Sequence, residues 1–223
     1  MKQKLPVFLS GFSLKVIALI TMTIDHVGLV LFPKIVPLRA IGRIAFPIFA
    51  FLLVEGYLHT KDLKKYLLRL FLFALISEVP FDLAFYGKSI HFTHQNTLFT
   101  LTVGLLAVFF LDHFRYQLPG IALAAVCALA VHFGEMDYHT GGVLLIAAFF
   151  ILRDKPLIKL VFTSLLLLLL YNPIEAFGII GILLTYFYNG ERGAVSMKYL
   201  FYVYYPLHLF TIYLAKMYMI SAK

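Results

Sequence analysis

The chain has 223 residues, of which 62% are hydrophobic and 13% are charged, and its mean hydropathy is +0.92. This composition leaves too little polar surface to coat a water-soluble globule, which excludes an ordinary cytosolic enzyme. The formal charge of +8 does not indicate nucleic-acid binding, because the lysines and arginines collect at the ends of apolar blocks and form no aromatic-interleaved basic patch.

The apolar blocks are about 17–21 residues long, the length at which an α-helix crosses the hydrocarbon core of a bilayer. They predict an all-α fold, a polytopic integral membrane helical bundle that forms a single domain over residues 1–223. About nine transmembrane helices are expected, in chain order at residues 13–32, 39–58, 66–86, 97–114, 118–134, 139–153, 156–171, 173–189 and 199–219.

The first apolar run follows a short basic segment, as in a signal peptide. It carries Asp25 and His26 and has no small-residue cleavage site, so we expect a retained first helix. Most lysines and arginines lie in the loops on one side of the predicted membrane bundle, the same side as the N-terminus. By the positive-inside rule, the sequence predicts a multi-pass protein surrounded by membrane lipids, with its N-terminus in the cytoplasm.

Several ionisable side chains lie inside the predicted spans, where each costs on the order of 2.5–3.5 kcal/mol. Five of them fall at similar depth in the first three helices: Asp25, His26, Arg43, Glu78 and Asp82. We expect a buried network in which Arg43 holds one carboxylate and a carboxylate orients the imidazole of His26. The sequence pattern leaves open which carboxylate does so.

His26 favours a chemical role for this network. An ion pair needs only arginine and a carboxylate, whereas imidazole accepts and returns a proton near neutral pH. The alternative is that the charges only hold three helices in register. A second histidine, His208, lies near the middle of the last predicted helix beside Tyr204 and Tyr205. Its alternative role is packing, with the imidazole bound to a backbone carbonyl.

The densest basic cluster of the chain lies at the predicted cytoplasmic end of the second and third helices and consists of Lys61, Lys64, Lys65 and Arg69. It would attract an acyl donor with several phosphates, such as coenzyme A, although ordinary positive-inside topology also explains it. The histidines and acids of the outer loops match no zinc-binding spacing, so the sequence predicts no metal site.

Four ordered segments carry a family resemblance: Met22-Thr-Ile-Asp25-His26-Val-Gly28, Arg39-Ala-Ile-Gly42-Arg43-Ile-Ala-Phe46-Pro47, Ile76-Ser77-Glu78-Val-Pro80-Phe81-Asp82 and Tyr205-Pro206-Leu-His208-Leu. By these segments the chain resembles the TraX family of bacterial membrane proteins over nearly its whole length. The resemblance implies a membrane-bound acyltransferase of the bacterial cytoplasmic membrane. It implies that cytoplasmic acetyl-CoA donates an acetyl group to an amine or hydroxyl near the outer face. The acceptor would be a protein such as a pilin N-terminus in conjugation, a glycan or a lipid.

On this resemblance the candidate catalytic residues are His26, Asp25, Arg43, Glu78, Asp82 and His208, and the candidate acetyl-CoA-binding residues are Lys61, Lys64, Lys65 and Arg69. Adjacent residues of a helix point about 100° apart, so we favour Glu78 or Asp82 over Asp25 as the partner that orients His26. Two alternatives use the same residues: a proton-coupled transporter or channel, and a non-catalytic scaffold of a secretion or conjugation apparatus. No oligomeric state is indicated.

Overall fold

The structure is a computed structural model that describes residues 7–193 and 198–222. The sequence predicts a cytoplasmic N-terminus, but residues 1–6 lie outside the described residues. The all-α prediction is confirmed, because the described residues form only helices, turns and two isolated β-bridges. The helices are α1 Gly11–Leu31, α2 Val36–Gly42, α3 Ala45–Leu58, α4 Leu63–Tyr86, α5 Thr97–His113, α6 Leu118–Phe133, α7 His139–Ile151, α8 Pro156–Leu170, a 3-10 helix Pro173–Phe177, α9 Gly178–Tyr186 and α10 Lys198–Ser221.

Each predicted span corresponds to a helix or a helix pair. The second span is divided into α2 and α3, and the eighth into the 3-10 helix and α9. Within the described residues, two helical segments are long and apolar enough to cross a membrane, Gly11–Leu31 and the α2–α3 pair Val36–Leu58. The helices from α5 to α9 are apolar but shorter.

The helices α3, α5 and α7 pack together in the centre of the bundle, with α1 against α2, α3 and α10 on one side. Large buried side chains such as Phe46, Leu105, Ile146 and Phe149 fill the core between them. The peripheral helices α6 and α8 instead present large apolar side chains outward, among them Leu129, Phe133, Leu165 and Leu169. The fold therefore has an apolar interior and an apolar outer face.

The start of α9 packs closely against the break between α2 and α3. A Cβ atom added at Gly181 would meet the carbonyl oxygen of Ile44, and one added at Gly178 would lie 3.2 Å from the carbonyl oxygen of Arg43. Two glycines thus allow α9 to approach the backbone of the break. This approach brings the 3-10 helix that precedes α9 next to Arg43.

Two loops pair at the end of the bundle where α1 finishes. Gln95 donates its backbone N–H to the carbonyl of Glu135 at 2.9 Å, and Asp137 donates to the carbonyl of Gln95 at 3.0 Å. Asn96 then caps α5 by accepting a hydrogen bond from the N–H of Leu98. The pairing places the loop before α5 beside the loop before α7.

Candidate functional site

The centre of the site is the carboxylate of Asp25 in α1, which is 6% exposed. One oxygen, Oδ2, accepts hydrogen bonds from Nη1 of Arg39 at 2.6 Å and from Nη2 of Arg43 at 2.5 Å. The two arginines lie one helical turn apart, so both guanidiniums reach the same oxygen. The other oxygen, Oδ1, is buried without a hydrogen-bond partner among the described residues. It lies where a side chain at position 42 would be, so only glycine fits at Gly42.

Arg43 makes a second buried ion pair with Glu175, through Nη1 and Oε1 at 2.7 Å. Its Nε also donates to the backbone carbonyl of Arg39 at 3.3 Å. Each nitrogen of this guanidinium therefore has a partner within the cluster, and two positive charges face two negative ones. Sequence reasoning missed Glu175, although it is the single carboxylate in the predicted span 173–189.

His26 pairs with another imidazole. Its Nδ1 lies 2.7 Å from Nε2 of His208 in α10, and the two rings are stacked with their centroids 5.0 Å apart. The other nitrogen of His208, Nδ1, lies 2.9 Å from the carbonyl oxygen of Tyr204. A carbonyl oxygen only accepts, so Nδ1 of His208 carries a hydrogen.

The carbonyl contact determines both tautomers when the two rings are uncharged. Nε2 of His208 is then an acceptor, and it must receive its hydrogen bond from the Nδ1–H of His26. The remaining nitrogen of His26, Nε2, is then left with a lone pair, and the side-chain hydrogen bond found for His26 within the described part of the chain is the one through Nδ1. The pair thus presents one unprotonated imidazole nitrogen.

A further hydrogen bond holds the helix that carries His208. The hydroxyl of Tyr204 lies 2.7 Å from Oγ1 of Thr23 in α1, and its ring stacks on that of His208 at 5.2 Å. Thr23 also donates to the carbonyl of Leu19 at 2.8 Å. Two polar contacts therefore join α1 to α10 at neighbouring levels and fix the position of the imidazole pair.

His26 and the arginine cluster line one cavity of about 220 Å³. Its polar wall includes Asp25, His26, Arg39, Arg43, Asp137 and Tyr205. Along α1 the lining runs from Leu29 to Leu19, which is about 15 Å at the rise of an α-helix. The part nearer the start of α1 is apolar and includes Met22, Phe49 and Phe201.

Glu78 and Asp82 lie elsewhere, and the prediction that one of them orients His26 is wrong. Glu78 accepts a hydrogen bond from the side-chain amide of Asn96. Asp82 accepts from the backbone N–H of His91 at 2.6 Å. Both carboxylates bind the segment between α4 and α5 and tie it to α4.

Asp137 and His94 form a pair in the two paired loops, with Nε2 of His94 3.5 Å from Oδ1 of Asp137. The hydrogen bond to Asp137 outweighs burial and raises the pKa of His94 above its usual value. Burial opposes ionisation of Asp137, but hydrogen bonds from His94 and from the hydroxyl of Thr97 prevail and lower its pKa. The pair is therefore favoured in its charged form.

Replacing His94 by glutamine should remove a stabilising contribution that is limited to a pH window. The raised pKa of His94 makes its contribution complete below about pH 6.5 and lost as the pH rises through its folded-state pKa. The lowered pKa of Asp137 makes its contribution complete above about pH 4 and lost as the pH falls through its folded-state pKa. Thermal unfolding in detergent should show that His94→Gln lowers the free energy of unfolding by up to about 1 kcal/mol between about pH 4 and about pH 6.5.

The exposed His113, at the opposite end of the bundle, supplies the control. His113→Gln should leave the pH dependence of Tm unchanged. An equal loss of Tm for His94→Gln at about pH 5.5 and about pH 8.5 would show that the pair is not charged.

The basic cluster lies at the start of α4, away from the cavity wall. Lys61, Lys64 and Lys65 are exposed, and Lys65 pairs with Asp62 at 3.1 Å. The Arg69 guanidinium stands over the ring of Tyr66 at 5.8 Å. No group of three or more histidine, cysteine, aspartate or glutamate side chains is arranged to hold a metal ion in the described parts of the sequence.

The geometry is that of a helical bundle with a polar cavity between its first and last helices, and comparison with known proteins gives its family. The model of the TraX protein family matches residues 10–216, so the chain belongs to the TraX family. It is 31% identical to the "Probable fimbrial assembly protein FimC, serogroup H1" of Dichelobacter nodosus, over 94% of this chain and 97% of that protein. It is also 31% identical to an uncharacterized protein of Rickettsia prowazekii (strain Madrid E), over 53% of this chain and 43% of that protein. No solved structure matches the chain.

Proposed function

We propose that this protein is an integral membrane acyltransferase that moves an acetyl group from cytoplasmic acetyl-CoA to an amine or hydroxyl near the outer face of the bacterial cytoplasmic membrane. The observation that carries the proposal is the contact of His26 with His208 at the wall of the cavity, with His208 itself bound to the carbonyl of Tyr204. When both rings are uncharged, these contacts leave Nε2 of His26 unprotonated. A positioned imidazole with a free lone pair is the group that acetyl transfer requires as a general base.

The reaction uses one proton transfer in each direction. Nε2 of His26 takes the proton of the acceptor N–H or O–H while the acceptor atom bonds to the thioester carbon. The carbon–sulfur bond then breaks, and the thiolate of coenzyme A takes the proton back from His26. His208 keeps the imidazole in the required tautomer throughout by accepting from the Nδ1–H of His26.

The shape of the cavity supports a donor that enters from the inner side. Its apolar part includes Phe201, whose ring contacts that of Phe12 in the first turn of α1, and so it extends toward the end of the bundle at which the basic cluster at the start of α4 lies. We propose that Lys61, Lys64, Lys65 and Arg69 hold the phosphates of coenzyme A. The apolar part of the cavity would then receive the acyl-carrying arm, with the thioester next to His26.

The distribution of apolar and charged surface supports a multi-pass arrangement. The outward faces of α6 and α8 are apolar, and the described helices include two segments long and apolar enough to cross a membrane and several shorter apolar ones. We propose that the nine segments cross the membrane with the basic cluster inside and the Asp25 cluster toward the outside. The α2–α3 break and the 3-10 helix then lie within the bundle, where neighbouring helices cover their backbone.

The relative named as a fimbrial assembly protein suggests the acceptor. We propose a pilus-type protein with an accessible N-terminal amine, and a glycan or lipid head group as the competing acceptor classes. The test is the release of free thiol from acetyl-CoA by the purified protein in detergent, with acetylated products identified by mass spectrometry. Acetyl-CoA that neither binds nor releases thiol would contradict the proposal.

Replacing Lys64 and Lys65 together by alanine should raise the KM for acetyl-CoA about tenfold with little change in kcat, because their charges attract the phosphates of the donor and take no part in the reaction. The rise should diminish as salt is added. Lys88→Ala, at an exposed position in the loop after α4, is the matched control and should leave KM unchanged. An unchanged KM for the double variant would remove these lysines from the donor site.

A further inference from the structure

Arg39 differs from Arg43 in how much of its guanidinium is used. Arg43 has a partner at each of its three nitrogens, whereas within the described ranges Arg39 donates only through Nη1, to Asp25. The Arg39 side chain is 26% exposed, against 9% for Arg43. A guanidinium has five N–H donors, so most of those of Arg39 have no protein partner among the described residues.

The unused donors form a complete recognition edge. Asp25 occupies Nη1, which leaves Nε and Nη2 of Arg39 side by side on the opposite edge of the planar group. Two parallel N–H groups in this arrangement match the two oxygens of a carboxylate or a phosphate. The ion pair with Asp25 also restricts the Arg39 side chain, so little further ordering is needed when an anion binds.

This edge belongs to the same site as the proposed base. Arg39 and His26 line one cavity, and Asp25, the residue next to His26, anchors Arg39 there. Arg43, the other arginine of the cluster, is 8% exposed and committed to Asp25 and Glu175. Of the two guanidiniums, that of Arg39 is therefore the more exposed and has two nitrogens, Nε and Nη2, without a partner among the described residues.

We propose that Arg39 binds an anionic group of the acceptor, so that the acceptors of this protein carry a carboxylate or a phosphate close to the amine or hydroxyl that is acetylated. This proposal rests on the proposed function for the transfer step, while anion binding itself does not require turnover. Arg39 is a specificity residue in this view, and His26 remains the base.

Anion binding is tested first without turnover, by the rise in Tm of the purified protein in detergent as inorganic phosphate or acetate is added at constant ionic strength. Arg39→Lys is the decisive variant, because lysine retains the charge beside Asp25 but lacks the paired N–H edge. We expect both anions to bind about tenfold more weakly to Arg39→Lys than to wild type, and still more weakly to Arg39→Gln. Lys34→Gln, an exposed cation between α1 and α2 that does not line the cavity, should bind them like wild type.

Assays of acetyl transfer then show whether the acceptor is recognised by a phosphate or by a carboxylate. Glucosamine 6-phosphate is compared with glucosamine, and alanine with alaninamide, each with acetyl-CoA as donor. A preference for the charged member of either pair that disappears in Arg39→Lys supports the proposal and identifies the anion. Equal anion binding by wild type and both Arg39 variants would overturn it, as would an equal loss in Lys34→Gln. Anion binding that depends on Arg39, in a protein that neither binds acetyl-CoA nor releases thiol from it, would overturn the proposed function and leave the anion site standing.

Discussion

Replacing His26 by glutamine should lower kcat for acetyl transfer by about 10²–10⁴-fold and leave the affinity for acetyl-CoA unchanged. Glutamine is close to histidine in size and hydrogen-bonding capacity, but its side chain does not accept and return a proton at neutral pH. The expected loss equals what a positioned general base contributes. Steady-state thiol release gives kcat, and equilibrium binding of coenzyme A to the same preparation gives the affinity.

Substitutions at His208 distinguish positioning of the base from packing. His208→Gln retains an acceptor near the place of Nε2, whereas His208→Phe retains the aromatic volume and removes the acceptor. If His208 fixes the tautomer of His26, kcat should fall in His208→Phe and recover substantially in His208→Gln, with KM for acetyl-CoA the same in both. Greater activity in the phenylalanine variant would show that only packing matters. An active His26→Gln variant would eliminate His26 as the base.

Arg43→Met should destabilise the protein by about 3–5 kcal/mol, because it leaves the carboxylates of Asp25 and Glu175 buried with much of their compensating charge removed. Methionine fills a similar volume without a charge. Thermal unfolding in detergent should therefore begin at a much lower temperature than in wild type. Arg115→Met, at an exposed position in the loop after α5, is the matched control and should change stability by no more than about 0.5 kcal/mol.

A second variant shows whether unpaired charge causes this loss. Adding Asp25→Asn and Glu175→Gln to Arg43→Met removes both buried negative charges, so a large part of the lost Tm should return. A triple variant no more stable than Arg43→Met would mean that Arg43 acts through packing. A single variant as stable as wild type would mean that the cluster does not hold α1, α2 and the 3-10 helix together.

Much of the helical architecture could be predicted because it depends on the local sequence. Apolar runs separated by turn-forming residues gave the positions of α5, predicted at 97–114 and observed as Thr97–His113, and of α6, predicted at 118–134 and observed as Leu118–Phe133. The break after Gly42 was not predictable in this way. It accompanies the close approach of Gly181 to Ile44, a contact between residues far apart in the chain.

The candidate site was predictable only in part. The cost of ionisable groups in apolar segments correctly singled out Asp25 and Arg43 as groups that need partners, and the structure joins them. Depth in a helix does not give the direction of a side chain in the bundle. The sequence therefore predicts that Glu78 or Asp82 orients His26, whereas in the structure both carboxylates hydrogen-bond from α4 to the segment between α4 and α5. The contact of His26 with His208 spans 182 positions and has no local signature.

That long span has a consequence for the synthesis of the protein. A chain is made from its N-terminus, and its early segments are in place well before its late ones. His26 arrives with α1, whereas the acceptor that fixes its tautomer arrives with α10. A nascent or prematurely terminated chain would therefore carry the imidazole without its partner, and the base proposed here would be fully formed only when the last helix is in place.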